Sequence, residues 1–329
     1  MTSEEKLVLQ VRALLFERGK AALELAKKAV LEEKVSSETL QDALRYFIVN
    51  WEDVLHPALM ALACEAVGGK REKTTQVAAA FVLLAGGADV HDDVIDESVV
   101  KDSKPTVFGK YGRDLSVLVG DALLFKGLYM LHEVCEALPK NQKQAILELT
   151  KWAFFGISSA EAKEASLRGK TDPGIAEEYL EMIKTKAAVG EATTRIGAII
   201  GGSSSEQIEM LGSYGKALAI LYTIRDEFID AYELNELRNR VKKECLPLPI
   251  LYALKDAKKA DEIVRLVKKD PISEEDGERL LDLVMDSKEA EELKQEMQAN
   301  VEEQNHGLRK ITTNRSIFVL LLQSMMEDL

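Results

Sequence analysis

Cysteine is scarce: Cys64, Cys135 and Cys245 are the only three, odd in number and far apart, with no C-x-x-C pair. That excludes a disulfide framework and gives no zinc-site spacing, so the thiols read as reduced and point to the cytoplasm. Proline is nearly as rare, with seven in 329 residues, and no stretch is rich in Pro, Gly and Ser over linker length. Positive charge is outweighed: 43 basic residues against 56 acidic ones leave a net charge of −13 and a pI of about 5.0. A surface of that sign speaks against nucleic acid as the main partner and against electrostatic attachment to anionic lipid. The first residues, "MTSEEKLVLQV", lack a basic stretch followed by an apolar one, so no secretion signal is expected. No apolar run reaches the roughly 18 residues that suggest a membrane span. Period-2 strand patterns and solenoid-length repeats are also hard to find.

What is present is helix. "GDALLFKGLYMLHEVCEAL" and "GKALAILYTIRDEFIDAYEL" place apolar residues with a 3.6-residue period. Thr2 with Glu5, Ser204 with Gln207 and Ser273 with Asp276 have capping-box spacing. Breaks fall at "VGGKRE", "DSKPTVFGKYGRD", "LPKNQ", "TDPG" and "IIGGSSSE". The simplest expectation is one all-α domain over residues 1–329, with charged, solvated helices from Pro271 to about Asn305.

The least polar stretch, "VAAAFVLLAGGA", runs into "ADVHDDVIDESVV", where Asp89, Asp92, Asp93, Asp96 and Glu97 fall within nine residues. "DDVID" from Asp92 to Asp96 is echoed by "DEFID" from Asp226 to Asp230, again after an apolar run. Carboxylates at i and i+4 share one helix face and repel. With 56 acids in the chain, any one such pair could be a solvated helix face. Two copies at the ends of apolar segments call for something cationic. Magnesium, which takes carboxylates, waters and phosphate oxygens, makes a magnesium diphosphate clamp a candidate.

These residues carry a resemblance. "HDDVIDES…KPTVFGKYG…LVGDALL" resembles the first aspartate-rich region of the trans-isoprenyl diphosphate synthases, the polyprenyl synthetase family. "DEFID" lies where that family has its second. "VGGKREK" is similar to its G-G-K-R-x-R loop, "YLEMIKTKAAVGEATTRIGAIIGG" to its K-T helix, and "KKECLPLPILYAL" to its K-x-T-L-P segment. The order and approximate spacing agree from about residue 20 onward. The resemblance implies a bundle of mostly antiparallel helices around a deep apolar cavity, with both acidic motifs at its mouth. It implies that Asp92, Asp93, Asp96, Asp226, Glu227 (in place of an aspartate) and Asp230 hold Mg2+ on an allylic prenyl diphosphate. Lys186 and Lys243 bind that diphosphate, with Asp92, Asp93, Asp96, Lys186 and Asp226 central to catalysis. The resemblance gives the acceptor, isopentenyl diphosphate, to Lys70, Arg71, Lys73 and Lys101, with Thr223 a further substrate-binding candidate.

Most departures lie on the acceptor side. Ala85 takes the place of a histidine, the basic pair becomes Lys101 and Asp102, Phe-Gln becomes Tyr222-Thr223, and K-T becomes Lys186-Ala187. His91 is expected to be structural, since hard magnesium does not favour imidazole. Asp89, where the family is apolar, has no account from sequence. Gly87 and Ala88, about one turn before Asp92, are candidates for setting product length where the family uses a bulky aromatic; alternatively, small residues there let two helices pack closely. The expected activity is a Mg-dependent trans-prenyltransferase condensing an allylic diphosphate with isopentenyl diphosphate to a product of twenty carbons or more. Two alternatives remain: a different prenyl acceptor, or a weakly active regulatory subunit of a heteromeric synthase. Family members are usually dimers, so a homodimer, or a heterodimer with a related chain, is expected.

Overall fold

Apolar runs, capped helix starts and scarce proline become helices almost throughout the computed structural model, which describes residues 3–326 except 102 and 312. Asp102 and the Thr2 cap therefore lie outside the described residues. In chain order the helices begin with α1 (Ser3–Leu31), α2 (Glu38–Asn50), α3 (Leu55–Ala66) and α4 (Thr75–Ile95). A hairpin of two-residue strands, β1 (Val100–Lys101) and β2 (Lys104–Pro105), pairs Val100 with Pro105 and Lys101 with Lys104. Then follow α5 (Val107–Tyr111), α6 (Arg113–Glu136), α7 (Lys140–Leu167), α8 (Ile175–Lys186), α9 (Ala188–Gly201) and α10 (Ser205–Tyr232). The rest are α11 (Leu234–Lys243), α12 (Leu248–Ala253), α13 (Ala260–Val267), α14 (Glu274–Met285), α15 (Lys288–Gly307) and α16 (Arg315–Ser324).

The chain divides into two compact units. One comprises Met1–Lys151, Ala192–Gly212 and Ile311–Arg315; the other comprises Trp152–Glu191, Ser213–Lys310 and Ser316–Leu329. The first is organised around α4. Residues 77 to 84 of α4 are all buried, so this helix is apolar on every side and lies inside its unit, against α1, α3 and α6. The crossing of α4 and α6 is close because small residues face each other. A Cβ on Gly120 would come within 2.4 Å of the His91 ring, and one on Gly127 within 3.0 Å of the Ala80 carbonyl oxygen. α6 also exposes an apolar stripe, with Leu118, Leu128 and Tyr129 at least half exposed and Phe125 73% exposed. α6 is long and apolar enough to cross a membrane by length and composition.

The second unit is built around α12, whose six residues are all buried, with α8, α14 and α15 against it. Both caps expected within the described residues form. Ser204 Oγ accepts from the Gln207 amide at 3.3 Å while Gln207 Oε1 accepts from the Ser204 amide at 3.1 Å, and Ser273 Oγ accepts from the Asp276 amide at 3.1 Å.

Candidate active site

As α4 leaves the core, its sides diverge. Val90, Asp93 and Val94 stay buried, while Ala85, Ala88, Asp89, Asp92 and Asp96 form a half-buried stripe at helical spacing. The helix ends after Ile95: Glu97 takes a left-handed φ of 55°, and the Ser98 amide donates to the Asp93 carbonyl at 2.9 Å. That reversal lets the β1–β2 hairpin return Lys101 to the acidic stripe. Its ammonium donates to Asp89 Oδ1 at 2.5 Å. Asp89, unexplained by sequence, is the counter-ion of Lys101. Burial opposes the Lys101 charge, but Asp89, then Asp93 and Asp92, outweigh it and hold the ammonium above its ordinary range.

The other acids remain crowded. Burial pushes the Asp93 carboxyl up to about 7; Asp89, Asp92 and Asp96 add to the shift and Lys101 opposes it. Asp92 Oδ1 is buried and accepts no hydrogen bond. A buried carboxylate oxygen with no donor, among like charges, fits a hard divalent cation. His91 faces away, with Nε2 3.3 Å from the Val117 carbonyl and 3.4 Å from Asp121 Oδ1 on α6, as expected of a structural residue.

Gly86 and Gly87 are buried. A Cβ on Gly86 would meet the Phe47 ring at 2.9 Å; one on Gly87 would meet Leu124 Cγ at 2.8 Å and the Gly120 carbonyl at 2.9 Å. That side of α4 is filled by α6, the close packing that stood as the alternative to an open floor at Gly87. Ala88 stays on the half-buried stripe. In the loop before α4, Lys70 and Lys73 are exposed, but Arg71 is held by carboxylates, with Nη1 2.9 Å from Glu17 and Nε 3.9 Å from Glu65.

The second motif lies on α10 and differs. Glu227 is 5% exposed, and both its oxygens accept from Arg240 Nη2 at 3.0 Å. Its Oε2 also accepts from the Leu248 amide at 2.8 Å, and the Tyr179 hydroxyl lies 2.9 Å from Oε1. Asp230 accepts from Arg240 Nη1 at 2.6 Å. Burial pushes both carboxyls up, and the guanidinium opposes it. Both Glu227 oxygens, expected from the resemblance to face a metal ion, thus accept from protein donors. Asp226 is half-buried on the same helix, and Thr223 bonds back to the Ala219 carbonyl at 3.1 Å. Lys186, at the end of α8, pairs with Glu161 at 2.7 Å and with Glu164. Burial would raise the Glu164 carboxyl, but Lys186 outweighs it and holds it below its ordinary value. Lys243 is half-buried at the end of α11.

Residues 37–284 match the polyprenyl synthetase family. The chain belongs to that family. It is 30% identical over 223 residues to geranylgeranyl pyrophosphate synthase 11, chloroplastic, of Arabidopsis thaliana, a match covering 65% of this chain and 62% of that one. The chain thus spans under two thirds of that relative's length. It is 27% identical to the short chain isoprenyl diphosphate synthase of Methanothermobacter thermautotrophicus, over 84% of this chain and 81% of the relative. A crystal structure of geranylgeranyl pyrophosphate synthetase from Pyrococcus horikoshii superposes with a TM-score of 0.87 at 24% identity, covering 97% of this chain and 99% of that one. That likeness bears on the fold, which is the all-α isoprenoid synthase fold.

Sequence reading missed Arg240, Tyr179, Glu161 and Glu164. Glu161 and Glu164 left a faint signal, an acidic i, i+3 pair upstream of the K-T helix. Arg240 left none, since a basic residue in "LRNRVKK" reads as solvated surface. Among the described residues no three acidic, imidazole or thiol groups converge as a ready metal cage. Magnesium does not require one, because it keeps waters and takes substrate phosphate oxygens.

Proposed function

We propose that residues 1–329 form one catalytic domain that condenses an allylic prenyl diphosphate with isopentenyl diphosphate, giving a prenyl diphosphate of twenty carbons or more. The observation that carries this reading is the acidic stripe of α4, with its unpartnered Asp92 oxygen and its crowded Asp93. Asp92, Asp93 and Asp96 would hold magnesium, which when bound supplies positive charge against the departing diphosphate. Lys101, held by Asp89, offsets part of the acidic charge beside them. Lys70 and Lys73 meet the second diphosphate. In the other unit Lys186, Lys243, Thr223 and Asp226 enter through the family resemblance. Ala88 and Ala85 keep the stripe above the acids free of bulk. The names of the relatives in Arabidopsis and Methanothermobacter support the prenyl diphosphate class.

A homodimer in the cytoplasm completes the reading, supported by the apolar stripe of α6 and by three free, buried cysteines. The test is incubation with magnesium, farnesyl diphosphate and labelled isopentenyl diphosphate. A labelled, longer prenyl diphosphate is expected; none from a folded, metal-loaded protein overturns the reading. One observation favours a second reading. Arg71 is held by Glu17 and Glu65, and Ala85 replaces a histidine, so another prenyl acceptor could serve. Farnesyl diphosphate binding without incorporation of isopentenyl diphosphate is its signature.

A further inference from the structure

The second acidic motif is occupied by a side chain of the protein. Arg240 reaches it from α11 and is buried, 7% exposed. Every edge of its guanidinium is used. Nε donates to the Cys245 carbonyl at 3.0 Å and lies 3.2 Å from Glu244 Oε2; Nη1 donates to Asp230; Nη2 donates to both Glu227 oxygens and to the Tyr179 hydroxyl at 2.8 Å. We propose that Arg240 is the resident cation of this motif, and that Glu227 and Asp230 pair with it in place of a divalent metal ion. A guanidinium cannot shed its proton to make way for a metal. A metal ion here would have to lie beside a fixed positive charge and take oxygens that already accept from Arg240, Tyr179 and the Leu248 amide. The magnesium that the family resemblance assigns to Glu227 and Asp230 therefore does not fit these residues.

The inference rests on the proposed function only for its consequence, that divalent cations are held through the first motif. Manganese binding to the full chain, followed by electron paramagnetic resonance with inorganic diphosphate present, tests it. Asp230→Asn should keep the parent's manganese stoichiometry and its affinity within about twofold; loss of a bound ion or a tenfold weakening overturns the assignment. Asp92→Asn should weaken binding at least tenfold, and if it does not, the proposed function loses its diphosphate clamp while the Arg240 assignment stands. A second arm places Arg240→Met in the Asp92→Asn background, so that any recovery comes from the second motif. Removing the guanidinium leaves buried carboxylates without their cation, so millimolar manganese should raise the Tm of the double variant, or restore its folding by circular dichroism. It should do neither for Asp92→Asn alone. No recovery of the double variant by manganese overturns the proposal.

Discussion

Asp93 and Glu227 are both buried acids in aspartate-rich motifs, and their surroundings treat them in opposite ways. Glu227 has a guanidinium, a main-chain amide and a phenol around it; Asp93 has mainly other carboxylates, with Lys101 beside Asp89. This has a pH signature in metal-free protein. The Asp93 carboxyl titrates near 4 when unfolded and is pushed up to about 7 when folded. The folded form thus holds a proton that the unfolded form has lost, and stability falls as pH rises from about 4 to about 7, then levels. Asp93→Asn removes the penalty, so with a chelator present it should raise stability by up to roughly 4 kcal/mol at pH 8 and by almost nothing at pH 4. Urea unfolding of both proteins at the two pH values checks it; an equal change at both would show that Asp93 is not held near 7. The acidic spacing was visible in the sequence. Which acid is paired was not, because Arg240 comes from another helix and Lys101 depends on a hairpin reversal at Glu97.

At the scale of elements, helices and caps were legible because periodicity and capping chemistry are local. Ser273 heads α14 and accepts the Asp276 amide, so Ser273→Ala should cost about 1 kcal/mol, read from chemical denaturation. A change under about 0.3 kcal/mol would mean that the cap is not holding the helix start. Packing was less legible. "AGGA" alone allows either an open floor for a prenyl tail or a close helix crossing, and a Cβ on Gly87 would meet Leu124 and the Gly120 carbonyl, as in a close crossing. Gly87→Phe must therefore push α4 and α6 apart, and should lower Tm by several degrees. Ala88→Phe projects from the half-buried stripe, should leave Tm within about 2 °C, and should shorten the prenyl product or the longest prenyl diphosphate bound. Parallel melting curves and product chromatography separate the two. Shorter products from a fully stable Gly87→Phe protein would restore that glycine to the floor.

At the scale of the molecule, composition foretold an acidic helical chain, but periodicity could not tell which apolar positions would remain uncovered. α6 shows why. One face, including Val119, Gly120, Leu123, Gly127 and Leu131, is buried, largely against α4; the opposite face leaves Leu118, Phe125, Leu128 and Tyr129 in water. Both faces are apolar, so the 3.6-residue period marks the helix without telling which face is covered, and the helix looks long and apolar enough for a membrane. Asp121 argues against lipid around it. Half-exposed in the middle of the helix, it would put a charge in the hydrocarbon region, which is costly. In the proposed homodimer a second copy of the chain would cover this stripe and leave the carboxylate at a wet margin. Phe125 is the natural anchor, since a buried aromatic often carries much of the energy of an interface. Phe125→Glu should therefore give a monomer of about 36.5 kDa by light scattering where the parent is expected at twice that mass, with helical circular dichroism unchanged. Monomeric parent protein that turns over substrate would remove the dimer from the proposal, and an unaltered dimer in the variant would move the interface off α6.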